Sequence, residues 1–366
     1  MLYVLNLQEN QGFVVMSASL LERPILAYAN EGRFDLENIT DCEGVSDWLT
    51  TKFLKISGLE DIGIPWSEDV PNQWSALGIH IDVGLTDPDG NLIPWNPPVL
   101  IDEDSETYGP LLGNIKWDQN NRYSSEIMYN NNIRYNNCSA GTAPVGCGAV
   151  AMGQIMKYHN HPNMFNIATM HPYITVGAPY NYNTQPAYDV ADFLGHIANN
   201  VNSYFYCDRS GGASQNAASA FSTYYDYTTS NLTPMNINTI KTDVINNKPV
   251  YLRGNATKKV VVVKSPKKIG VFRFSIGRTK TRTDYKDGHA WVGDGYQKIT
   301  GYYYDSNVDR YFYATIADHV HMNWGWRGSR NGWYDYDMWT TIDGIIVTNV
   351  QYIYNQEMIH NITPNQ

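Results

Sequence analysis

Short apolar runs broken by glycine, proline and polar clusters open the chain: Gly12-Phe13-Val14-Val15-Met16-Ser17, then Pro24-Ile25-Leu26-Ala27-Tyr28, then Gly32-Arg33-Phe34. They predict short strands and turns over residues 2–36. The period then changes. Val45, Trp48, Leu49, Phe53, Leu54 and Ile56 recur at roughly helical spacing and predict an amphipathic helix over 44–58. Turn formers follow, Thr86-Asp87-Pro88-Asp89-Gly90-Asn91 and then Pro94, Pro97 and Pro98. The twelfth position from Asp87 is Pro98, where a calcium loop requires a bidentate Glu, so no calcium site is assigned. Residues 97–106 mix prolines with the acidic run Asp102-Glu103-Asp104-Ser105-Glu106 and read as an exposed connection between two units, residues 1–103 and 104–366.

Past this connection, Pro144 to His159 holds a helical pattern that stops before Pro162. Met152, Ile155, Met156 and His159 share one face, and the small Ala149, Ala151 and Gly153 allow a neighbour to approach closely. Cys147 falls in the first turn, where unpaired N–H groups and the positive end of the helix dipole stabilise a thiolate. Taken alone, this helix leaves open a second reading of Cys147, a small buried apolar residue. A thiolate nucleophile needs a base, and the base needs an orienting group. Gly288 to Tyr296 reads as a strand that carries His289 and ends in an Asp294-Gly295 turn. Val320 to Trp326 reads as a second strand, carrying Asn323 and Trp324. An Asn accepting from the second imidazole N–H would fix the ring, and a neighbouring Trp would keep water off that bond. In papain-like order His and Asn follow Cys by ~130–150 residues. His289 fits this spacing closely and Asn323 more loosely.

Composition narrows the class. In 366 residues, 17% charged and 43% hydrophobic side chains exclude a disordered chain. Val260 to Val263 is the longest valine run, only four residues, and no stretch approaches the ~18–20 apolar residues of a membrane span. Four cysteines exclude a disulfide-dense scaffold. With Cys147 reserved as a thiol, Cys42, Cys138 and Cys207 cannot all pair within one chain, and Cys138 is the rival nucleophile, lacking the helix start. The net charge is −10, yet residues 241–286 hold 13 of the 26 Lys and Arg against two Asp. Here Val260–Val263, a Ser265-Pro266-Lys267-Lys268 turn and Val271–Ile276 predict an inserted β-hairpin over 255–286. It is either a solvated hairpin whose lysines discourage edge pairing or a basic flap near the cleft that meets acidic substrates or a polyanion. For so acidic a chain no nucleic-acid partner is expected. Met1 to Leu7 lacks a signal peptide's basic and apolar regions; the Asn-, Tyr- and Trp-rich, lysine-poor composition nevertheless sets the expectation of a secreted, cell-surface or periplasmic protein. His159 and His161 at the helix end read as structural. So do His319 and His321, which alternate on one strand face without a third ligand. No metal or cofactor is expected, since no metal-binding, Walker or dinucleotide motif occurs.

These motifs together resemble the streptopain family of bacterial cysteine peptidases, a branch of the papain-like clan. The matching residues are Gly146-Cys147 leading through Ala151-Met152-Gly153-Gln154-Ile155-Met156-Lys157-Tyr158-His159 to Pro162, then Gly288-His289-Ala290, then Asn323-Trp324-Gly325-Trp326, with Trp117-Asp118-Gln119 upstream. The Gly12 to Phe34 region is similar to the family's propeptide. The resemblance implies an α+β fold: a two-lobed papain-like enzyme, with a helical lobe carrying Cys147 and a β-rich lobe carrying His289 and Asn323, preceded by a small α+β pro-domain. It implies a latent zymogen in which Cys147 is the nucleophile, His289 the base and later acid, and Asn323 the orienter of His289. Gln119 becomes an oxyanion-hole donor beside the Cys147 N–H, with Trp324 as the shield. Protein or peptide substrates and the chain's own pro-domain are the implied partners. Two rivals carry the same residues: an amidase or transglutaminase-like acyl-transfer enzyme, and an inactive protease-like binding protein.

Overall fold

The fold is that of a computed structural model that describes residues 2–36, 43–63, 65–78, 96–119, 143–175, 177–206, 210–211, 214–264, 267–269, 272–274, 279–307, 309–335 and 354–365, without the side chains of 43, 47, 50, 51, 54, 62, 255–287, 354 and 355. Its N-terminal part consists of β1 (Leu2–Asn6), β2 (Phe13–Ser17), β3 (Ile25–Ala29), α1 (Glu43–Ile62) and α2 (Val70–Ala76). Next come β4 (Val99–Tyr108) and four helices: α3 (Cys147–His159), α4 (Gln185–Asn200), α5 (Ala217–Tyr224) and α6 (Ile237–Ile245). Long strands complete it: β5 (Val250–Lys264), β6 (Thr279–Asp305), β7 (Arg310–Asn323), β8 (Gly332–Asp335) and β9 (Tyr354–Ile359). One antiparallel sheet runs β1-β2-β3-β8-β7-β6-β5-β9, closes on the short strand Thr233–Pro234, and takes β4 as an extra partner of β6. The N-terminal hairpins are therefore part of the same sheet as the strand bearing His289, joined through Trp333↔Tyr28 and Tyr334↔Ala27.

Strand alternation divides the apolar residues between two cores. On one face Tyr251, Ala290, Val292 and Ile359 pack against α3, α4 and α5 through Val150, Met152, Ile155, Phe193, Leu194 and Phe221. On the other face Leu252, Trp291, Val320, Met322 and Trp324 pack against the N-terminal part through Phe13, Leu26, Phe34, Val45, Trp48 and Ile56. Helix α3 is enclosed on all sides from Ala149 to Met156, so the single stripe expected from its spacing widens to the whole circumference. The helix expected over 44–58 is α1, whose Val45, Trp48 and Ile56 cover the second sheet face.

Three local readings change. Asp294-Gly295 is not a turn. The register shifts there, between Gly293 and Gly295, and β6 runs on to Asp305. The Asp294 carboxylate explains the irregularity: it accepts from the Leu112 N–H at 3.0 Å and bonds His321 Nδ1 at 2.6 Å, anchoring the bulge instead of closing a hairpin. The acidic stretch expected as a connection is strand β4, exposed along almost its whole length and paired with β6 from Tyr108↔Tyr296 to Val99↔Tyr304. It crosses the boundary expected between residues 103 and 104. A hairpin is present over the expected span, but its pairing differs: 257–264 pairs with 279–286, from Thr257↔Lys286 to Lys264↔Thr279, and Lys267–Ile269, with two residues of the expected turn, pairs with Phe272–Phe274 of the expected return strand as a separate two-stranded ribbon. Cys42, Cys138, Cys207 and the Asp-rich turn at 86–91 lie outside the described residues.

Where the N-terminal part meets β7 and β8, charge is buried. Asp335 is fully enclosed and takes Lys52 Nζ at 2.7 Å and Arg23 Nε at 3.5 Å. Lys55 pairs with the enclosed Glu22 at 2.5 Å and lies over the Trp66 ring. Burial and the Lys52 charge lower the Lys55 ammonium to about 8. Arg23, Lys52 and Lys55 together hold the Asp335 carboxyl below the usual carboxylate range in spite of its burial. His319, beside this cluster, is pushed down to about 4 by burial and stays neutral. Removing one partner of such a pair leaves a charge stranded in the interior. Lys52→Met should therefore lower the stability of the full-length chain by about 3–5 kcal/mol in urea denaturation; an unchanged midpoint would contradict it.

Candidate active site

Cys147 begins α3. Gly146 before it sits at φ 95°, a conformation that favours glycine and turns the chain into the helix. The Cys147 side chain is a reduced, half-buried thiol against the first core. Beneath it the Tyr251 phenol is fully buried. Burial first, and Cys147 second, push its ionisation upward, so it remains neutral. The Val145 N–H donates to the Gln119 carbonyl at 2.9 Å, placing half-buried Gln119 beside the start of the helix. The segment carrying Gln119 is also fastened to the end of β7. Asp118 bridges to Trp326 and receives the Arg327 guanidinium at 2.5 and 2.6 Å, and the Arg327 N–H donates to the Trp117 carbonyl at 3.2 Å.

His289 pairs with Gly254 across β5 and β6, and its side chain is buried among indoles. Its ring stacks at 6.0 Å on Trp291 and 5.9 Å on Trp326, with Trp324 at 6.4 Å. Nε2 lies 2.9 Å from the Trp324 carbonyl. A carbonyl only accepts, so Nε2 carries the proton and the neutral ring presents a bare Nδ1. Nδ1 is buried and has no hydrogen-bond partner among the described residues. Burial pushes the imidazole down to about 4, partly offset by the Trp324 carbonyl. This is the tautomer a base for a thiol needs, but neither ring nitrogen is hydrogen-bonded to Cys147.

The reason lies on the second face of the sheet. Gly44 of α1 packs so closely that a Cβ there would stand 2.6 Å from His289 Cδ2 and 2.7 Å from the Trp324 ring. Val45 and Trp48 of the same helix belong to the core that contains Trp291 and Trp324. The N-terminal helix thus holds His289 in the second core, while Cys147 packs against the first. Asn323, the expected orienter, is buried and otherwise engaged: Nδ2 donates to the Ile115 carbonyl at 2.9 Å, and Oδ1 accepts from the Gly325 N–H at 3.2 Å and from Gln154 Nε2 at 3.3 Å. Trp324 has its indole buried next to Trp291, and through its carbonyl it makes the direct contact to His289 that was expected from Asn323.

A family model for the peptidase C10 family matches residues 117–334, more than half of the chain, and one for the Spi protease inhibitor matches residues 1–52. The chain belongs to the peptidase C10 (streptopain) family. It is a cysteine-type peptidase carrying a propeptide inhibitor domain, which is the organisation of a zymogen. Among solved structures the peptidase is similar to a prointerpain A fragment from Prevotella intermedia, a cysteine-to-alanine mutant, with 18% identity, TM-score 0.56 and 100% of each chain covered. It is also similar to active interpain A from the same organism, with 18% identity, TM-score 0.40, and 69% of this chain and 94% of that one covered. No curated protein matches. The expected α+β fold, with a pro-domain ahead of a two-lobed enzyme, is thereby established. No helix among the described residues is long and apolar enough to cross a membrane.

Four contributors to the candidate site were given no role by the sequence reading: Gly44, Trp291, Trp326 and Gln154, although Trp326 and Gln154 stand within the motifs that carry the resemblance. Gln154 left a further signal, as the one fully polar side chain inside an otherwise apolar or small stretch from Ala149 to Met156. The other histidines have places of their own. His161 Nε2 lies 3.2 Å from the Asp226 carbonyl, and His159, lowered to about 4 chiefly by burial, is neutral and so supplies no cation to the helix end. Forcing a side chain under α1 should loosen the lock. Gly44→Leu in the full-length chain should speed alkylation of Cys147 roughly tenfold, the scale of an overpacking strain. An unchanged alkylation rate would show that α1 does not control the site.

Proposed function

We propose that the chain is a secreted or cell-envelope cysteine endopeptidase made latent, with residues 1–103 as pro-domain and 104–366 as catalytic domain. The observation that carries the proposal is the convergence of three segments: the start of α3 with Cys147, the Trp117–Gln119 segment, and the Asn323–Arg327 segment, whose Trp324 carbonyl holds His289 in the tautomer a base requires. When α1 withdraws, the space occupied by Gly44 and Trp48 opens and His289 is free to swing toward the thiol. Nδ1 then takes the Cys147 proton, giving a thiolate at a helix N-terminus beside an imidazolium, each charge stabilising the other.

The thiolate attacks the scissile carbonyl carbon. The carbonyl electron pair moves onto oxygen, where the Cys147 N–H and the Gln119 amide meet it. His289 returns its proton to the leaving amine, and the C–N bond breaks to leave a thioester on Cys147. Water, deprotonated by the same Nδ1, attacks the thioester and releases the acid and the thiol. Trp324 orients His289 through its carbonyl, Asn323 supports that peptide, and the indoles keep water from the Nε2 bond. Protein or peptide chains are the substrates, and no nucleic acid is involved.

Latency follows from the same contacts. With His289 neutral, buried and apart from Cys147, the peptidase cannot form the ion pair. Processing falls within residues 100–112, where β4 is exposed but paired with β6, so β4 must peel off β6 before its backbone can enter a cleft. A thiol-reactive epoxide should label Cys147 in the processed protein and abolish casein hydrolysis, and Cys147→Ala should leave the full-length chain uncut when incubated alone. An adduct on Cys138, or casein left intact while simple amides are hydrolysed, would overturn the reading.

A further inference from the structure

Gln154 lies in the middle of α3, two turns beyond Cys147, and is completely buried. A buried amide that serves only to fill space costs more than an apolar residue of the same shape, so its hydrogen bonds need an account. Oε1 accepts from the Trp117 N–H at 3.1 Å, and Nε2 faces Asn323 Oδ1 at 3.3 Å. The amide orientations are set by backbone groups that have only one polarity. The Trp117 N–H can only donate, which fixes Gln154 Oε1 and turns Nε2 to Asn323. The Ile115 carbonyl can only accept and the Gly325 N–H can only donate, which fixes Asn323 independently and in the same sense. Both lines of reasoning place an oxygen of Asn323 opposite the NH₂ of Gln154.

The consequence reaches the base. Gly325 N–H and Trp324 C=O belong to one planar peptide. Asn323 Oδ1 holds the N–H side of that peptide, and His289 Nε2–H is bonded to the C=O side. The Trp324 N–H, held by Asn331 Oδ1 at 3.1 Å, fixes the peptide before it. We infer that Gln154 is a positioning residue: it aims the Trp324 carbonyl at His289 by holding the Asn323 amide, and through Trp117 it ties the segment bearing Gln119 to the same helix that presents Cys147. One side chain thus couples the nucleophile's helix, the oxyanion segment and the base's orienting peptide. It does not touch substrate. Every group in this relay belongs to the catalytic part, so removing the N-terminal part leaves the relay its partners.

This inference rests on the peptidase reading, and the experiment separates the two. Processed wild type is first assayed on casein and a peptide substrate, with Cys147→Ala as the blank; absence of activity there defeats the peptidase reading and says nothing against the relay. Given activity, Gln154→Met, close in shape but without polar atoms, should lower kcat/KM about 10- to 100-fold through kcat, with KM little changed. Gln154→Glu supplies the discriminating readout. Its protonated carboxyl can still donate to Asn323 Oδ1, whereas the ionised one sets two acceptors face to face. Relative to wild type, its kcat should fall as pH rises through the titration of the buried Glu, and the deficit should shrink on the acid side. Gln154→Met should show the same deficit at every pH. Adding Gln154→Met to Asn323→Ala should cost clearly less than the product of the two single losses, because the Asn323 arm is shared and only the Trp117 arm remains to be lost. Wild-type kcat in Gln154→Met, or losses that add fully in the double variant, would overturn the inference. So would a Gln154→Glu deficit that does not vary with pH, a result that remains readable if Gln154→Met fails to fold.

Discussion

The imidazole of His289 is enclosed by three indoles, a backbone carbonyl and the bare Cα of Gly44. An enclosure of this kind tolerates the neutral ring and penalises the cation, since the charged form would lose its hydration without gaining a counter-ion. Catalysis by a thiolate asks for the opposite, an imidazolium beside a sulfur anion. The same ring cannot satisfy both, so in the proposed mechanism the position of α1 decides which chemistry is available. Latency as proposed requires no plug in the substrate cleft. It is enough that a helix lacking one side chain fits where the base would otherwise be free to turn.

Other features of the molecule serve that helix. Its apolar residues complete the second core, and its Lys52 reaches Asp335 of β8 inside the protein. Breaking the buried pair would strand a charge, whereas releasing the whole N-terminal part lets Lys52 and Asp335 both rehydrate. That makes the lock hard to weaken piecemeal and easier to lose as a unit, as a pro-domain must be. Pairing of β3 with β8 extends the enzyme's sheet into the N-terminal part, so the two share backbone hydrogen bonds as well as a core.

Much of this was legible in the residues. Cys147 at a helix start, the period change near Val45, the strands bearing His289 and Asn323 and the presence, though not the pairing, of the inserted hairpin follow from spacing and punctuation. Asp294-Gly295 misled because a turn dipeptide and a bulge look alike until the partners of the Asp carboxylate are known. The acidic run at 102–106 read as a linker because its pairing depends on β6, nearly two hundred residues away. The contact that orients His289 comes from a backbone carbonyl, which no residue type reports. Gln154 was visible as a polar residue in an apolar helix, but its partners, Trp117 and Asn323, meet only in the fold.

The most direct measurement is an NMR titration of the His289 ring, with Cys147 replaced by alanine so that cleavage cannot intervene. In the full-length chain the ring should remain in the neutral Nε2–H form until the pH approaches about 4. Once the N-terminal part is removed by an added protease, the ring is exposed and its titration should move up toward the ordinary value of 6.5. Equal titrations in the two forms, or a full-length ring already titrating near 6.5, would contradict the account.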